Sequence, residues 1–125
     1  MKSTWLVVED SLRVADGGLE VQIRLPWYRA LPLSTVDVGE VRINGELIDS
    51  AQVTLTVNDK SRPVKDLSSL YEEYWYVLDS GYLRFPYAKA GKDENVELDL
   101  TLTIYPPYIP GIPFRNNCKR TMRAN

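Results

Sequence analysis

The feature that most constrains this chain is a strict alternation of apolar and polar residues over residues 96–104. Valine, leucine and isoleucine stand at every second position there, with acidic residues and threonines between them. A period of two matches a β-strand with one buried and one solvated face, and nine residues of it are hard to reconcile with a helix. Residues 19–25 show the same alternation. Both segments predict half-buried strands in an all-β fold.

Turn signals between further short strands extend this prediction along the chain. Asn44 and Gly45 lie between apolar segments, and this pair predicts a hairpin because both residues tolerate a positive φ. Strands are also predicted at residues 53–57, 75–78 and 82–87, whereas residues 65–73 have helical spacing. Roughly seven or eight short antiparallel strands indicate a β-sandwich with one short helical turn, and a closed barrel is the nearest competitor.

The length and composition favour one independently folded domain over residues 1–125. A chain of this length buries roughly two-thirds of its extended surface. Its 15 basic and 17 acidic residues give a net charge of -2 and are interspersed, which argues against binding to nucleic acid or to an anionic membrane. No apolar run approaches the ~20 residues of a membrane span. The single cysteine and the short apolar start, which does not suit a signal peptide, predict a cytoplasmic protein without disulfides.

Two proline-rich loops carry the aromatic residues that stand out as candidate contacts. Residues 25–33 contain two prolines and residues 105–114 contain four of the eight in the chain, so both segments should leave the sheets. Their aromatic side chains either plug the open ends of the sandwich or form an interface. We favour an interface, because Trp, Tyr and Arg dominate binding energy and proline lowers the entropy cost of presenting them. The candidate contact residues are Trp27, Tyr28, Arg29, Tyr105, Tyr108 and Phe114.

Catalytic chemistry is hard to place on this chain. Without histidine there is no Ser/His or Cys/His pair and no imidazole metal ligand. Glu97 and Asp99 share a solvated strand face, and Glu72 and Glu73 diverge on a helical turn, so neither pair suits acid–base catalysis. For Cys118, a buried structural role is favoured over a reactive thiol. We therefore predict no catalytic residue, metal ligand or cofactor in this chain.

Several segments carry a resemblance to a known family. They lie at residues 8–14, 21–34, 43–46 and 74–79, and the most specific is the run Leu-Pro-Trp-Tyr-Arg-x-Leu-Pro-Leu-Ser at residues 25–34. Over most of its length the chain resembles the small, β subunit of bacterial C-glycoside deglycosidases. In that family a larger α subunit, a xylose-isomerase-like TIM barrel with a divalent metal, usually manganese, pairs with a β-sandwich. The resemblance thus implies a hetero-oligomer.

The same resemblance implies the reaction of the complex. The bond cleaved joins the sugar carbon of a 3-oxo-C-glycoside to an aromatic aglycone, as in flavonoid C-glycosides. The ketone acidifies the C2 proton, a base on the metal-bearing chain removes it, and the aglycone leaves as its carbanion is protonated. This resemblance implies that residues 27–29 and 105–114 contact the large subunit or lie over its barrel mouth beside the aglycone.

Two other functions are compatible with the same residues. One is a free-standing carbohydrate-binding β-sandwich in which Trp27, Tyr28 and Tyr108 form a stacking platform for sugar rings. The other is a scaffold that stabilises a partner without touching its substrate. The alternatives differ in whether the isolated chain binds glycans and whether the large chain is active alone.

Overall fold

The computed structural model describes residues 5–125, which form an antiparallel β structure with three short 3-10 helices. The 3-10 helices span Leu33–Thr35, Ser50–Gln52 and Val64–Ser69. None of these helices is long or apolar enough to cross a membrane. The strands are β1 Arg13–Ala15, β2 Gly18–Ile23, β3 Leu31–Pro32, β4 Val36–Ile43, β5 Glu46–Leu47, β6 Thr54–Val57, β7 Lys60–Pro63, β8 Tyr74–Trp75, β9 Gly81–Pro86, β10 Asn95–Ile104 and β11 Phe114–Arg123.

Two sheets enclose one apolar core. The larger sheet has the order β1-β2-β9-β6-β7, and the smaller has the order β11-β10-β4-β5. A separate two-stranded sheet pairs β3 with β8. Every second residue of β9 and β10 is buried, and the buried side chains of both sheets belong to a single core cluster. This arrangement confirms the all-β sandwich predicted from the alternating segments.

The predicted strands and turns with local signals are present. The alternation at residues 96–104 lies in β10, and that at residues 19–25 lies mostly in β2. Asn44 and Gly45 join β4 to β5 with φ values of 52° and 83°, as the hairpin signal requires. The predicted helical turn is the 3-10 helix Val64–Ser69, although two shorter 3-10 helices were not expected.

Other sequence predictions were wrong in detail. Of the strand expected at residues 75–78, only the first residue lies in a strand, as the last residue of β8. The chain turns directly after it, where the Asp79 amide donates to the Tyr76 carbonyl at 2.9 Å. Trp75 causes this difference: its indole is buried, and its Nε1 donates to the Asp79 carbonyl at 2.8 Å. The ten-residue β11 was not predicted, and the described residues contain eleven strands rather than seven or eight.

The two ends of the sandwich differ in the loops that they carry. At one end, β2 stops at Ile23 opposite Gly81 of β9, and β10 stops at Ile104 opposite Phe114 of β11. We call this the aromatic end, since the loops at residues 24–30, 70–80 and 105–113 lie there. The opposite, polar end holds the turns at residues 16–17 and 44–45 and the connection at residues 88–94.

Candidate functional site

Trp27 lies at the centre of a group of side chains from both proline-rich loops. Its ring centre lies 5.0 Å from that of Tyr28 and 4.8 Å from that of Phe114. Its Nε1 donates a hydrogen bond to the Tyr108 hydroxyl, and the guanidinium carbon of Arg29 lies 5.0 Å from the Tyr108 ring centre. We call these five residues the Trp27 cluster, and all five are among the six predicted contact residues.

Short backbone turns hold the two loops in place. In the first loop, the Trp27 amide donates to the carbonyl of the buried Leu25 at 2.8 Å. In the second, Pro106 is buried, and the Ile109 amide donates to its carbonyl at 3.0 Å. The loops therefore present their aromatic residues from fixed positions, which lowers the conformational entropy lost on binding.

The cluster has a half-buried base and an exposed top. Trp27 and Phe114 pack against the hydrophobic core, as expected if loop aromatics plug the end of the sandwich. Tyr28 is 69% exposed, and Arg29 and Tyr108 are also exposed, as expected for a contact surface. Each interpretation of the loops thus fits a different part of the cluster.

Tyr105 is the one predicted contact residue that lies apart. Its amide donates to the Thr35 carbonyl at 2.8 Å, while its side chain is exposed and makes none of the ring contacts of the Trp27 cluster. It directly follows β10 and marks the start of the second loop.

Two ionisable side chains, Tyr28 in the first loop and Cys118 in β11, have raised pKa values. The hydroxyls of Tyr28 and Tyr108 lie 3.5 Å apart, and the hydrogen bond between them is the main reason that the pKa of Tyr28 is raised. Tyr28 therefore stays a neutral phenol at neutral pH. Cys118 is buried inside the sandwich, as favoured from the sequence, and this burial raises the pKa of its thiol. Within residues 5–125, no three His, Cys, Asp or Glu side chains are grouped as metal ligands.

A second aromatic surface, absent from the sequence prediction, lies at the same end. It is an open cleft of about 650 Å³ lined by Asn58, Lys60, residues 69–74 and Tyr76, which we call the tyrosine cleft. The ring planes of Tyr74 and Tyr76 are inclined by 29°, with centres 6.4 Å apart. The two-residue spacing of these tyrosines was the available signal, but helical spacing was assigned to residues 65–73 and a strand to residues 75–78.

Glu73 fixes the tyrosine cleft to the β6–β7 hairpin. Its carboxylate lies 2.5 Å from Arg62 and 3.9 Å from Lys60. The hydrogen bond from Arg62 is the main reason that the pKa of Glu73 is lowered. Asn58 Nδ2 also donates to the Tyr74 carbonyl at 2.9 Å. Glu73 is thus an ionised anchor at neutral pH, and it lies beyond the 3-10 helix Val64–Ser69 rather than on the helical turn expected from the sequence.

The exposed apolar side chains of the described residues are concentrated at the aromatic end. Eight of the twelve large exposed hydrophobic residues lie in the three loops of this end: Tyr28, Tyr71, Tyr74, Tyr76, Leu78, Tyr105, Tyr108 and Ile112. The β3–β8 sheet connects the loop at residues 24–30, which we call the Trp27 loop, with the tyrosine cleft, since Leu31 pairs with Trp75. Such a concentration of exposed apolar surface is typical of an interaction site.

The chain is thus a β-sandwich whose exposed apolar side chains are concentrated at one end. Comparison with known proteins identifies the family: the profile of the C-glycoside deglycosidase beta subunit matches residues 6–108. The chain belongs to this family. The match covers the whole Trp27 loop and stops at Tyr108, so Phe114 and the stretch at residues 115–125 lie beyond it.

Individual relatives agree with the family match. The 3'-dehydrocarminate deglycosidase beta subunit of Microbacterium sp is 36% identical over 105 residues, which cover 84% of this chain and 79% of the relative. The C-glycoside deglycosidase beta subunit of Microbacterium trichothecenolyticum is 30% identical over 104 residues, covering 83% and 79%. One from Arthrobacter globiformis is 30% identical over 106 residues, with the same shares. The chain is thus a subunit of a deglycosidase and has a partner subunit.

Proposed function

We propose that this chain supports a larger, metal-dependent TIM-barrel α subunit that cleaves the carbon–carbon bond between a 3-oxo sugar and an aromatic aglycone. Family membership supports the subunit role. One relative is named for 3'-dehydrocarminate, and this name supports an oxidised glycoside as the substrate class. Flavonoid-type C-glycosides are the substrate class proposed for the complex, with the flavonoid as the aromatic aglycone. The proposed location of the chain is the cytoplasm.

The observation that carries the proposal is the exposed top of the Trp27 cluster. Tyr28, Arg29 and Tyr108 combine the side-chain types that dominate protein interfaces, and the half-buried Trp27 supports them from below. A surface of this kind suits a protein partner, and its flat rings also suit an aromatic aglycone at the edge of that contact.

The proposed chemistry belongs to the partner chain. A base there removes the acidic C2 proton of the 3-oxo sugar, the bond from C1 to the aglycone carbon breaks, and that carbon takes up a proton. When bound in the barrel, the divalent metal, proposed to be manganese, would polarise the oxygen that becomes negative. In this scheme the contribution of the present chain is to dock, to wall the site and to exclude water.

Coexpression with the large subunit tests this proposal. In the variant combining Trp27→Ala with Tyr28→Ala, we expect affinity for the large subunit to fall by about 30-fold or more, because a central aromatic contact is removed. The measurement is co-purification followed by titration of one subunit with the other. A second variant, Tyr28→Ala with Arg29→Ala, changes only exposed side chains and so leaves the core packing of Trp27 intact.

Tyr82→Ala is the matched control, since Tyr82 is an exposed tyrosine on β9 outside the three loops. Unchanged assembly and unchanged turnover in both loop variants would refute the docking role. Full turnover by the large chain alone, without this subunit, would refute any contribution to the reaction.

A further inference from the structure

The tyrosine cleft presents aromatic faces to solvent. Tyr71 is 72% exposed and Tyr76 is 55% exposed, and Tyr74 lies between them along the chain. Tyr74 and Tyr76, whose ring planes are inclined by 29°, form the aromatic wall of the cleft. An aromatic face carries partial negative charge, which attracts the weakly positive C–H groups on the flat side of a saturated ring.

Hydrogen-bonding groups surround this wall. Asn58, Lys60, Ser69 and Glu72 line the same cleft and provide both donors and acceptors. A ligand with many hydroxyl groups can use both kinds of partner at once, whereas a plain aromatic ring can use neither. The cleft therefore suits a ligand that is apolar on one face and hydroxylated around its edge.

The charges at the cleft are largely paired. Of the lining residues, Lys60 is cationic and Glu72 and Glu73 are anionic, and Glu73 also contacts Arg62, which lies outside the lining. With Arg62 included, no large excess of either sign attracts an ionic ligand by long-range forces. This balance favours a neutral ligand over a phosphate or a cation.

The walls of the cleft are held before any ligand arrives. The amide of Leu33 donates to the Glu73 carbonyl at 2.8 Å, and that of Ser34 donates to the Leu70 carbonyl at 3.1 Å. Together with the buried Trp75, these bonds attach the tyrosine segment to the sandwich. Little ordering is left to occur on binding, so a small ligand can be held.

From this combination we propose that the tyrosine cleft is a binding site for the sugar ring of a neutral glycoside. Its volume of about 650 Å³ lies in the range of small-molecule sites. Because the cleft is open, the rest of the glycoside extends away from the chain. The site is formed by this chain alone and does not depend on assembly with the large subunit.

Titration of the isolated full chain with methyl β-glucopyranoside, followed by NMR, tests the proposal. We expect saturable binding with a Kd on the order of millimolar, typical of a small ligand with few contacts. Tyr74→Ala should weaken binding by about tenfold or more, and Tyr74→Phe should retain most of it, because the ring and not the hydroxyl is required. Tyr71→Ala, which changes a highly exposed side chain, provides a second loss variant that should fold normally.

Tyr82→Ala serves as the control, since Tyr82 lies outside the cleft and its loss should leave sugar binding unchanged. The proposal would be overturned if the wild-type chain did not bind the glucoside. It would also be overturned if Tyr71→Ala and Tyr74→Ala both bound the glucoside as tightly as the wild type. Binding of phenol in place of the glucoside would assign the cleft to aromatic ligands instead. Co-purification with the large subunit is measured separately, so failure of the docking proposal is distinguishable from failure of this one.

Discussion

At the scale of single residues, Glu20 is the clearest case of a buried charge that the structure satisfies. Its side chain is 11% exposed and lies 2.7 Å from Arg13 and 2.8 Å from Arg84. Burial opposes ionisation of this carboxyl, but the hydrogen bonds and charges of the two arginines outweigh burial, and the pKa of Glu20 is lowered. Glu20 thus ties β1, β2 and β9 together across the outer face of the larger sheet.

We expect Glu20→Gln to lower the free energy of unfolding at pH 7 by about 1–2 kcal/mol, because both arginines lose their charged partner. A lowered pKa contributes stability above its ordinary value of 4.5, and this contribution disappears as the pH falls through the lower folded-state value. Urea unfolding of both proteins at several pH values should therefore show the difference shrinking below about pH 4.5. Glu40→Gln is the control, since its pair with Arg42 is solvent-exposed. A difference that stays constant down to pH 3 would contradict this account.

At the scale of secondary-structure elements, β2 and β9 approach each other closely at Gly18. A Cβ atom at this position would lie 2.2 Å from the Phe85 carbonyl oxygen, and this atom belongs to a strand backbone that cannot move aside easily. The glycine therefore permits the pairing of Gly18 with Pro86 at the start of β2.

We expect Gly18→Ala to lower the free energy of unfolding by about 3 kcal/mol, through displacement of the two strands. Gly91→Ala is the matched control, because its nearest neighbour is the flexible end of Glu94 at 3.3 Å. Thermal and urea unfolding of the two variants measure the contrast. Equal stabilities would show that the β2–β9 pair can separate without cost.

Elements with local signals could be predicted from the sequence, and those whose signals depend on distant packing could not. The β10 alternation and the Asn44 and Gly45 turn are encoded by neighbouring residues. In β11 the buried positions are occupied by Asn116, Cys118 and Met122, with Arg120 interrupting them, so the apolar period is weak. That strand is specified instead by its complete pairing with β10, from Asn95 to Ile104.

The same limit applies to the candidate site. Proline and aromatic content identified both loops of the Trp27 cluster, but the contact of Trp27 with Tyr108 joins positions 81 residues apart. The tyrosine cleft depends on Asn58 and Arg62 of the β6–β7 hairpin contacting the segment that carries Glu73. No periodicity within either segment predicts that contact.

At the scale of the whole molecule, the sandwich has two chemically different ends. Six of the eight tyrosines lie in the loops of the aromatic end. The polar end holds two tight turns and the connection at residues 88–94, and Asn44 Nδ2 donates there to the hydroxyl of the buried Tyr87 at 3.3 Å. A partner that recognises exposed rings should therefore approach from one direction only.

Hydrogen exchange of the free and assembled chain tests this directionality. We expect the amides of residues 24–30 and 105–113 to become protected in the complex, because docking excludes water and suppresses local opening. The turns at residues 16–17 and 44–45 should exchange at the same rate in both states and so act as an internal control. Protection confined to the polar turns would place the partner on the opposite end.

The polar end also offers a practical route for surface measurements. Lys92 is exposed in the connection at residues 88–94, and the native thiol of Cys118 is buried. Lys92→Cys would consequently give one accessible position for maleimide coupling to a sensor chip. Every immobilised molecule would then share one orientation, with its ring-bearing loops directed towards the flowing solution.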